Sequence, residues 1–247
     1  KIAFTGTPID KTEKTFGDYI DQYTIRQAVE DGVTVEIIYE GRTHNASVND
    51  TEAMNKRFED VFADADKETQ ALIQGRYTWK AYLEAEETIK EKAEDMLKHY
   101  ISQIFSNGFK AQVVAVSRLA AIKYKKVFDA LLADDVWTDA FLSSLQSKSD
   151  IKIDKAVLSR MKVEVIISGG NNDDPAMRPY TDEDKHDTAI ACFKLPFGKK
   201  NEDGLEGSVG ILVVQSMLLT GFDAPIEQVM YLDDVIREHN LLQAIAR

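Results

Sequence analysis

The sequence predicts an α/β fold built on a parallel sheet that is covered on both faces. Three observations carry the prediction. Short apolar segments recur at Ala111 to Val116, Met161 to Ser168, Gly210 to Val214 and Val229 to Leu232; strands buried on both faces read as such continuous runs rather than as alternating ones. A helical pattern follows the first of them at once, from Arg118 to about Leu132, as a crossover between parallel strands requires. Gly169-Gly170 ends the second segment, where glycine marks a turn. The 247 residues, 44% hydrophobic and 29% charged, supply ample apolar material for a core. A disordered chain is excluded.

Composition removes further classes. The longest apolar candidate, Val209 to Leu219, is interrupted by Gln215 and Ser216 and falls short of the ~18 residues a membrane helix needs. No basic stretch followed by an apolar core opens the chain, so no signal peptide is read. The single cysteine, Cys192, excludes an internal disulfide and a multi-cysteine zinc site. A cytoplasmic protein is expected. The net charge of −12 argues against a protein that coats nucleic acid, but not against local grips on a phosphate backbone. The chain opens directly on Lys1-Ile2-Ala3-Phe4 and closes in mid-helical pattern at Arg247. It is expected to be a piece of a longer protein.

In chain order, Lys1 to Phe4 is a strand running into a Thr5-Gly6-Thr7-Pro8 turn. Phe16 to Glu30 has roughly helical spacing and stops at Gly32, and Thr34 to Glu40 is rich enough in β-branched residues for a strand. Thr43 to Asp50 is a polar loop. Helical composition then extends from Glu52 to about Asn107, clearest from Tyr82 to Phe105. There Ala85, Ile89, Ala93, Met96, Tyr100 and Ile104 form an apolar stripe. Glu86 with Lys90 and Glu94 with Lys98 add favourable i,i+4 pairs, and Asn107-Gly108 is a stop signal. Such a stripe reads first as a face packed on its own domain and second as a partner-binding surface. Asn171 to Asp187 is acidic and polar, Phe197 to Gly207 is a Gly- and charge-rich loop, and Arg237 to Arg247 is a helix.

Several kinds of chemistry lack their residues. No G-x-x-x-x-G-K-[ST], G-x-G-x-x-G or G-x-S-x-G is present, and His44, His99, His186 and His239 are scattered. Asp173-Asp174 and Asp182-Glu183-Asp184 offer carboxylates to a cation, but read more simply as solvated acidic loops. What remains are segments at the carboxyl ends of strands, where open α/β sheets bind ligands. These are Thr5-Gly6-Thr7-Pro8, Ser117-Arg118, the turn from Leu219 to Pro225, and the helix ending Gln243-Ala244-Ile245-Ala246-Arg247. Gly221 permits a tight turn that directs backbone N–H groups and the Thr220 hydroxyl at a phosphate. Asp223 suits either a ribose hydroxyl or an arginine.

The order of these segments, T-G-T-P, then S-R after a strand, then T-G-F-D-x-P, then Y-L-D, then Q-A-I-A-R, resembles motifs III to VI of superfamily 2 helicases and translocases. The wording of Phe16 to Ile25, Ala28 to Gly32, Val116 to Ala121, Leu219 to Pro225 and Leu241 to Arg247 is similar to the restriction (R, motor) subunit of type I restriction-modification enzymes. The resemblance covers essentially the whole chain. It implies a RecA-like, P-loop NTPase-type sheet: residues 1–15 closing a first RecA-like domain, 16–107 a strand and helical connecting region, and 108–247 a second RecA-like domain. It further implies an ATP- and Mg²⁺-dependent translocase of duplex DNA that works with methyltransferase and specificity subunits and cleaves DNA.

Carried over by position, the resemblance makes Thr5, Gly6 and Thr7 the motif III coupling turn and places Ser117 and Arg118 in motif IV against DNA. Thr220 contacts the DNA backbone in motif V, where Gly221 and Asp223 face the nucleotide. Gln243 and Arg247 belong to motif VI, whose arginines approach the γ-phosphate; arginine stays charged and spreads its donors over several oxygens. The chain starts at motif III, so the Walker A and B residues, the nuclease residues and the second motif VI arginine are not in it. Alone it is expected to be inactive, with no tightly bound cofactor. Two alternatives stand beside this reading: another superfamily 2 translocase, of type III restriction or repair, and a non-catalytic docking module using the helix from Tyr82 to Phe105.

Overall fold

The computed structural model describes residues 14–41, 80–219 and 221–234. They divide into two units. The larger holds 80–217 and 224–234, and the smaller holds 14–41, 218–219 and 221–223.

The larger unit is organised by four strands, β1 (Lys110–Ala115), β2 (Lys162–Ile167), β3 (Val209–Gln215) and β4 (Glu227–Asp233), in the order β2-β3-β1-β4. Every pairing is parallel, with Val113 opposite Val213 on one side and Tyr231 on the other. This is the α/β, RecA-like class expected from the sequence. The two central strands are buried along nearly their whole length, which is why they read as unbroken apolar runs. At the edge, β4 alternates and keeps Leu232 exposed.

Helix α2 (Glu86–His99) lays Ile89, Ala93, Met96 and Leu97 into the core with Ala111, Val113, Ile211 and Tyr231. The apolar stripe therefore packs on its own domain. Its last turns differ from the simple helix expected: residues 100–104 widen into a π turn and 105–107 tighten into a 3₁₀ turn before Gly108 stops the run at φ +82°. Ser102 returns its hydroxyl to the Lys98 and His99 carbonyls in this stretch, the kind of competing bond that disturbs a helix ladder.

Helix α3 (Arg118–Ala133) crosses over from β1, burying Ala120, Ala121, Tyr124 and Phe128. Two further helices, α4 (Asp135–Lys148) and the short α5 (Lys155–Leu158), complete the crossover to β2. On the opposite face, α6 (Glu183–Lys194) buries Ala189, Cys192 and Phe193. Lys110, fully buried on that face, donates from Nζ to the Cys192 carbonyl at 3.0 Å and the Leu195 carbonyl at 2.5 Å. It thereby occupies the unpaired carbonyl end of α6. Burial pushes its ammonium down to about 8.

Helix α6 corrects the reading of Asp182-Glu183-Asp184 as a solvated acidic loop. Asp182 accepts from the Asp184 and Lys185 backbone N–H groups, and Glu183 and Asp184 fill the first turn, so the acidic run is an N-cap placed against the helix dipole. Among the described residues, no cluster of three or more metal-ligating side chains exists, and no helix is long and apolar enough to cross a membrane.

In the smaller unit, α1 (Ile25–Glu30) is shorter than the helix expected over Phe16 to Glu30. Thr24 and Gln27 form a reciprocal capping box that starts the helix late. The segment 34–40 is not a strand: Val35 and Ile38 are 80% and 86% exposed. β-branched residues favour strands through packing on neighbours, and these side chains have little. The strand expected over Lys1 to Phe4, the loop at Thr43 to Asp50, the helical start at Glu52 and the helix from Arg237 lie outside the described residues.

Candidate functional site at the carboxyl edge of the sheet

Parallel strands end at one edge, and in the larger unit that edge gathers the segments leaving β1, β2 and β4. Ser117 leaves β1 with extended backbone, and its hydroxyl accepts the Ala120 backbone N–H at 3.1 Å. It is the N-cap of α3, so the side chain expected to face DNA is occupied in starting a helix. Arg118 is the first residue inside that helix and places a cation where the dipole is positive. The offsetting anion comes from the loop after β2. Arg118 Nη1 donates to the Ser168 carbonyl at 2.9 Å and lies 2.7 Å from Asp173 Oδ1 and 2.8 Å from Oδ2.

Asp173 is thus more than part of a solvated acidic loop. It also accepts the Gly170 backbone N–H at 2.6 Å. That bond foremost, with the Arg118 guanidinium adding to it, holds its carboxyl below the usual carboxylate range although burial acts the other way.

Beneath the end of β4 lies a charged group that sequence reasoning did not assign. Lys92 of α2 donates to Asp233 Oδ1 at 2.5 Å, and Tyr124 of α3 donates to Oδ2 at 2.6 Å. All three are buried. Burial, then the neighbouring Asp233 charge, keeps the Tyr124 hydroxyl protonated well above the ordinary tyrosine range. A signal was present: Lys92 falls three residues after Ile89 and four before Met96, inside the apolar stripe, where a charge needs a partner.

In the smaller unit, Gly221 is exposed at φ +68°, and among the described residues nothing beyond its own chain neighbours lies within 4 Å of where a Cβ would stand. The left-handed turn expected of this glycine is present, and its backbone is open to close approach. Asp223 is exposed beside it in sequence. Thr5, Gly6, Thr7, Thr220, Gln243 and Arg247 lie outside the described residues.

A family model described as type I restriction enzyme subunit R domain 3 matches residues 107–247. A second, described as SWI2/SNF2 ATPase, matches residues 1–71. Over its full length the chain is 30% identical to the type I restriction enzyme HindI endonuclease subunit of Haemophilus influenzae, covering 21% of that protein. It is 24% identical, again over its full length, to the type I restriction enzyme SauMRSORF196P endonuclease subunit of Staphylococcus aureus, covering 25% of it. The chain therefore spans about a fifth to a quarter of the length of these curated relatives.

Proposed function

The chain belongs to the type I restriction enzyme subunit R family, and from that membership we propose that it is part of the ATP-driven DNA motor of a type I restriction endonuclease. The observation that carries the reading is the carboxyl edge of the all-parallel sheet. An arginine at a helix start follows β1 there, in the order that motif IV occupies in superfamily 2 motors.

In this reading residues 1–15 close the first RecA-like domain, 16–107 connect, and 108–247 form the second. Arg118 and Thr220 contact the backbone of duplex DNA, the first as a charge and the second as a neutral hydrogen-bond donor. Ser117 acts by starting the helix that carries Arg118. Thr5, Gly6 and Thr7 couple nucleotide state to DNA engagement, and Gly221 with Asp223 faces the nucleotide. The exposed left-handed backbone at Gly221 supports that assignment, since glycine sets no side chain of its own against an approaching phosphate. Arg247, positioned by Gln243 on the same helical pattern, stabilises charge on the transferring phosphoryl group. ATP with Mg²⁺ supplies the energy of translocation in the whole cytoplasmic enzyme, whose partners are the methyltransferase and specificity subunits. The 247-residue chain alone, without a Walker A loop, is inactive toward ATP.

The test is Arg247→Ala in the full-length subunit. Nucleotide affinity should be nearly unchanged while DNA-stimulated turnover falls steeply, by up to about 10³- to 10⁵-fold. Weakened nucleotide binding with normal kcat would overturn the assignment.

A further inference from the structure

The manner in which Asp173 is held distinguishes a fixed anchor from a carboxylate that has merely swung onto the nearest cation. Its side chain is only 6% exposed and is tied to the loop by the Gly170 N–H. A Cβ at position 170 would stand 3.0 Å from Asp173 Oδ1 and 3.5 Å from Arg118 Nη1, so glycine keeps the space around the pair open. Both carboxylate oxygens and the Ser168 carbonyl converge on one nitrogen, Nη1. Among the described residues, the bonds of Arg118 all run through that atom, and its side chain is 30% exposed. A guanidinium carries five N–H donors in a planar fork. The three on Nη2 and Nε are left over.

We propose that Asp173 is a positioning residue: it pins Arg118 through Nη1 so that the Nη2–Nε edge is presented, already oriented, to a backbone phosphate of duplex DNA. The inference rests on the reading of Arg118 as a DNA contact. Two parallel N–H groups on that edge match two phosphate oxygens. Fixing the side chain beforehand spares the rotamer freedom that a solvated arginine loses on binding. A carboxylate that only competed with phosphate would have the opposite effect, because its removal would add net positive charge at the site and strengthen binding.

The sign of one substitution separates the two. Full-length subunit would be titrated onto a labelled duplex of arbitrary sequence by fluorescence anisotropy at several salt concentrations, as wild type, Arg118→Ala, Asp173→Asn and the double variant. Asparagine keeps an acceptor for the Gly170 N–H, so the loop is retained. Arg118→Ala should flatten the slope of log K against log salt by about 0.9. Asp173→Asn should weaken binding by roughly two- to tenfold, flatten the slope part of the way, and add no loss when Arg118 is already alanine. Tighter binding with a steeper slope, or an equal loss in both backgrounds, would overturn the proposal. An unchanged slope for Arg118→Ala would instead overturn the DNA reading on which it rests.

Discussion

Asp233→Asn should loosen α2 from the sheet without changing the shape of the site. The carboxylate receives Lys92 and Tyr124 from two different helices, and Lys92 lies 141 residues away in sequence. Asparagine keeps one acceptor oxygen in place of two: turned to the ammonium, it meets the Tyr124 hydroxyl with its NH2, and it leaves the Lys92 charge without a counter-charge in a place where the side chain is only 9% exposed. Removing one partner of a buried pair costs about 3–5 kcal/mol, because the other charge is left uncompensated. Two features reduce that here. The new amide oxygen still accepts from the ammonium, and Lys92 sits 5.6 Å from the Tyr82 ring centroid, an attraction of about 0.5–1 kcal/mol. A net cost of about 2–4 kcal/mol results.

The assay is amide hydrogen exchange of the full-length subunit, read by mass spectrometry on peptides covering α2 and β4. With about 1.4 kcal/mol per factor of ten, exchange there should quicken roughly 30- to 800-fold and remain near wild type in α6. Replacing the whole group, Lys92→Met and Tyr124→Phe with Asp233→Leu, should restore much of the protection, since buried charged groups exchanged for apolar side chains are often neutral. Unchanged exchange in α2 for Asp233→Asn would mean that Lys92 reaches water on its own. A triple variant looser than Asp233→Asn would show that the group is net stabilising beyond the charge it compensates.

Lys110 gives a pH-dependent prediction. Its ammonium is pushed down to about 8 by burial, against about 10.4 in an unfolded chain. Between those values the unfolded state carries the extra proton, so the native state gains stability as pH rises, while below about 8 the cost of the buried charge is fully present. Thermal midpoints of wild type relative to Lys110→Met should therefore rise from pH 8 to 10, and a falling difference would refute the argument. At Gly207, a Cβ would lie 2.1 Å from the Pro196 oxygen and 2.7 Å from the Leu195 oxygen, both backbone. Gly207→Ala should cost at least the upper part of the usual range of about 1–3 kcal/mol and open the 196–207 loop to proteases; wild-type resistance would sink it. Thr220→Ala should weaken duplex binding by roughly 1 kcal/mol with an unchanged salt slope, because no charge is lost. A flattened slope would contradict the neutral role.

Legibility in the sequence followed burial. The four strands were readable because a parallel strand between two helical layers must be apolar throughout, and their ends shifted by only one or two residues. The polar residues of β1 show the limit of that rule. Lys110 and Gln112 are fully buried, yet Lys110 reads as solvent-facing until the carbonyl end of α6 is known. Helices α4, α5 and α6 were harder, because their composition is mixed or acidic and their apolar faces narrow. Their signal was capping. Asp134, Asp154 and Asp182 each accept backbone N–H groups at a helix start, and the last had been read as part of a loop. Residues 34–40 erred the other way, since β propensity describes a half-packed surface and Val35 and Ile38 are exposed.

The site was legible as an order of segments and illegible as a set of partners. Motif order is local: a turn after a strand can be recognised from a few consecutive residues. The partner of Arg118 is not local, because Asp173 is 55 residues away. It becomes adjacent only when β2 is placed beyond β3 in the order β2-β3-β1-β4. Nothing in the spacing of apolar runs dictates that order. The same holds for Asp233, whose Y-L-D context was visible while Lys92 and Tyr124 were not. Asp233 is the last residue of β4 and Asp173 lies in the loop that follows β2, and both hold a cation supplied by a helix that packs on the sheet. Their burdens differ. Asp233 is sealed with its lysine, so its charge is spent on holding α2 in place. Asp173 engages one nitrogen of an arginine that still reaches solvent. A pair of the first kind should register in hydrogen exchange and leave the salt slope unmoved; a pair of the second kind should do the reverse. That crossed pattern would assign one carboxylate to the fold and the other to the proposed DNA contact.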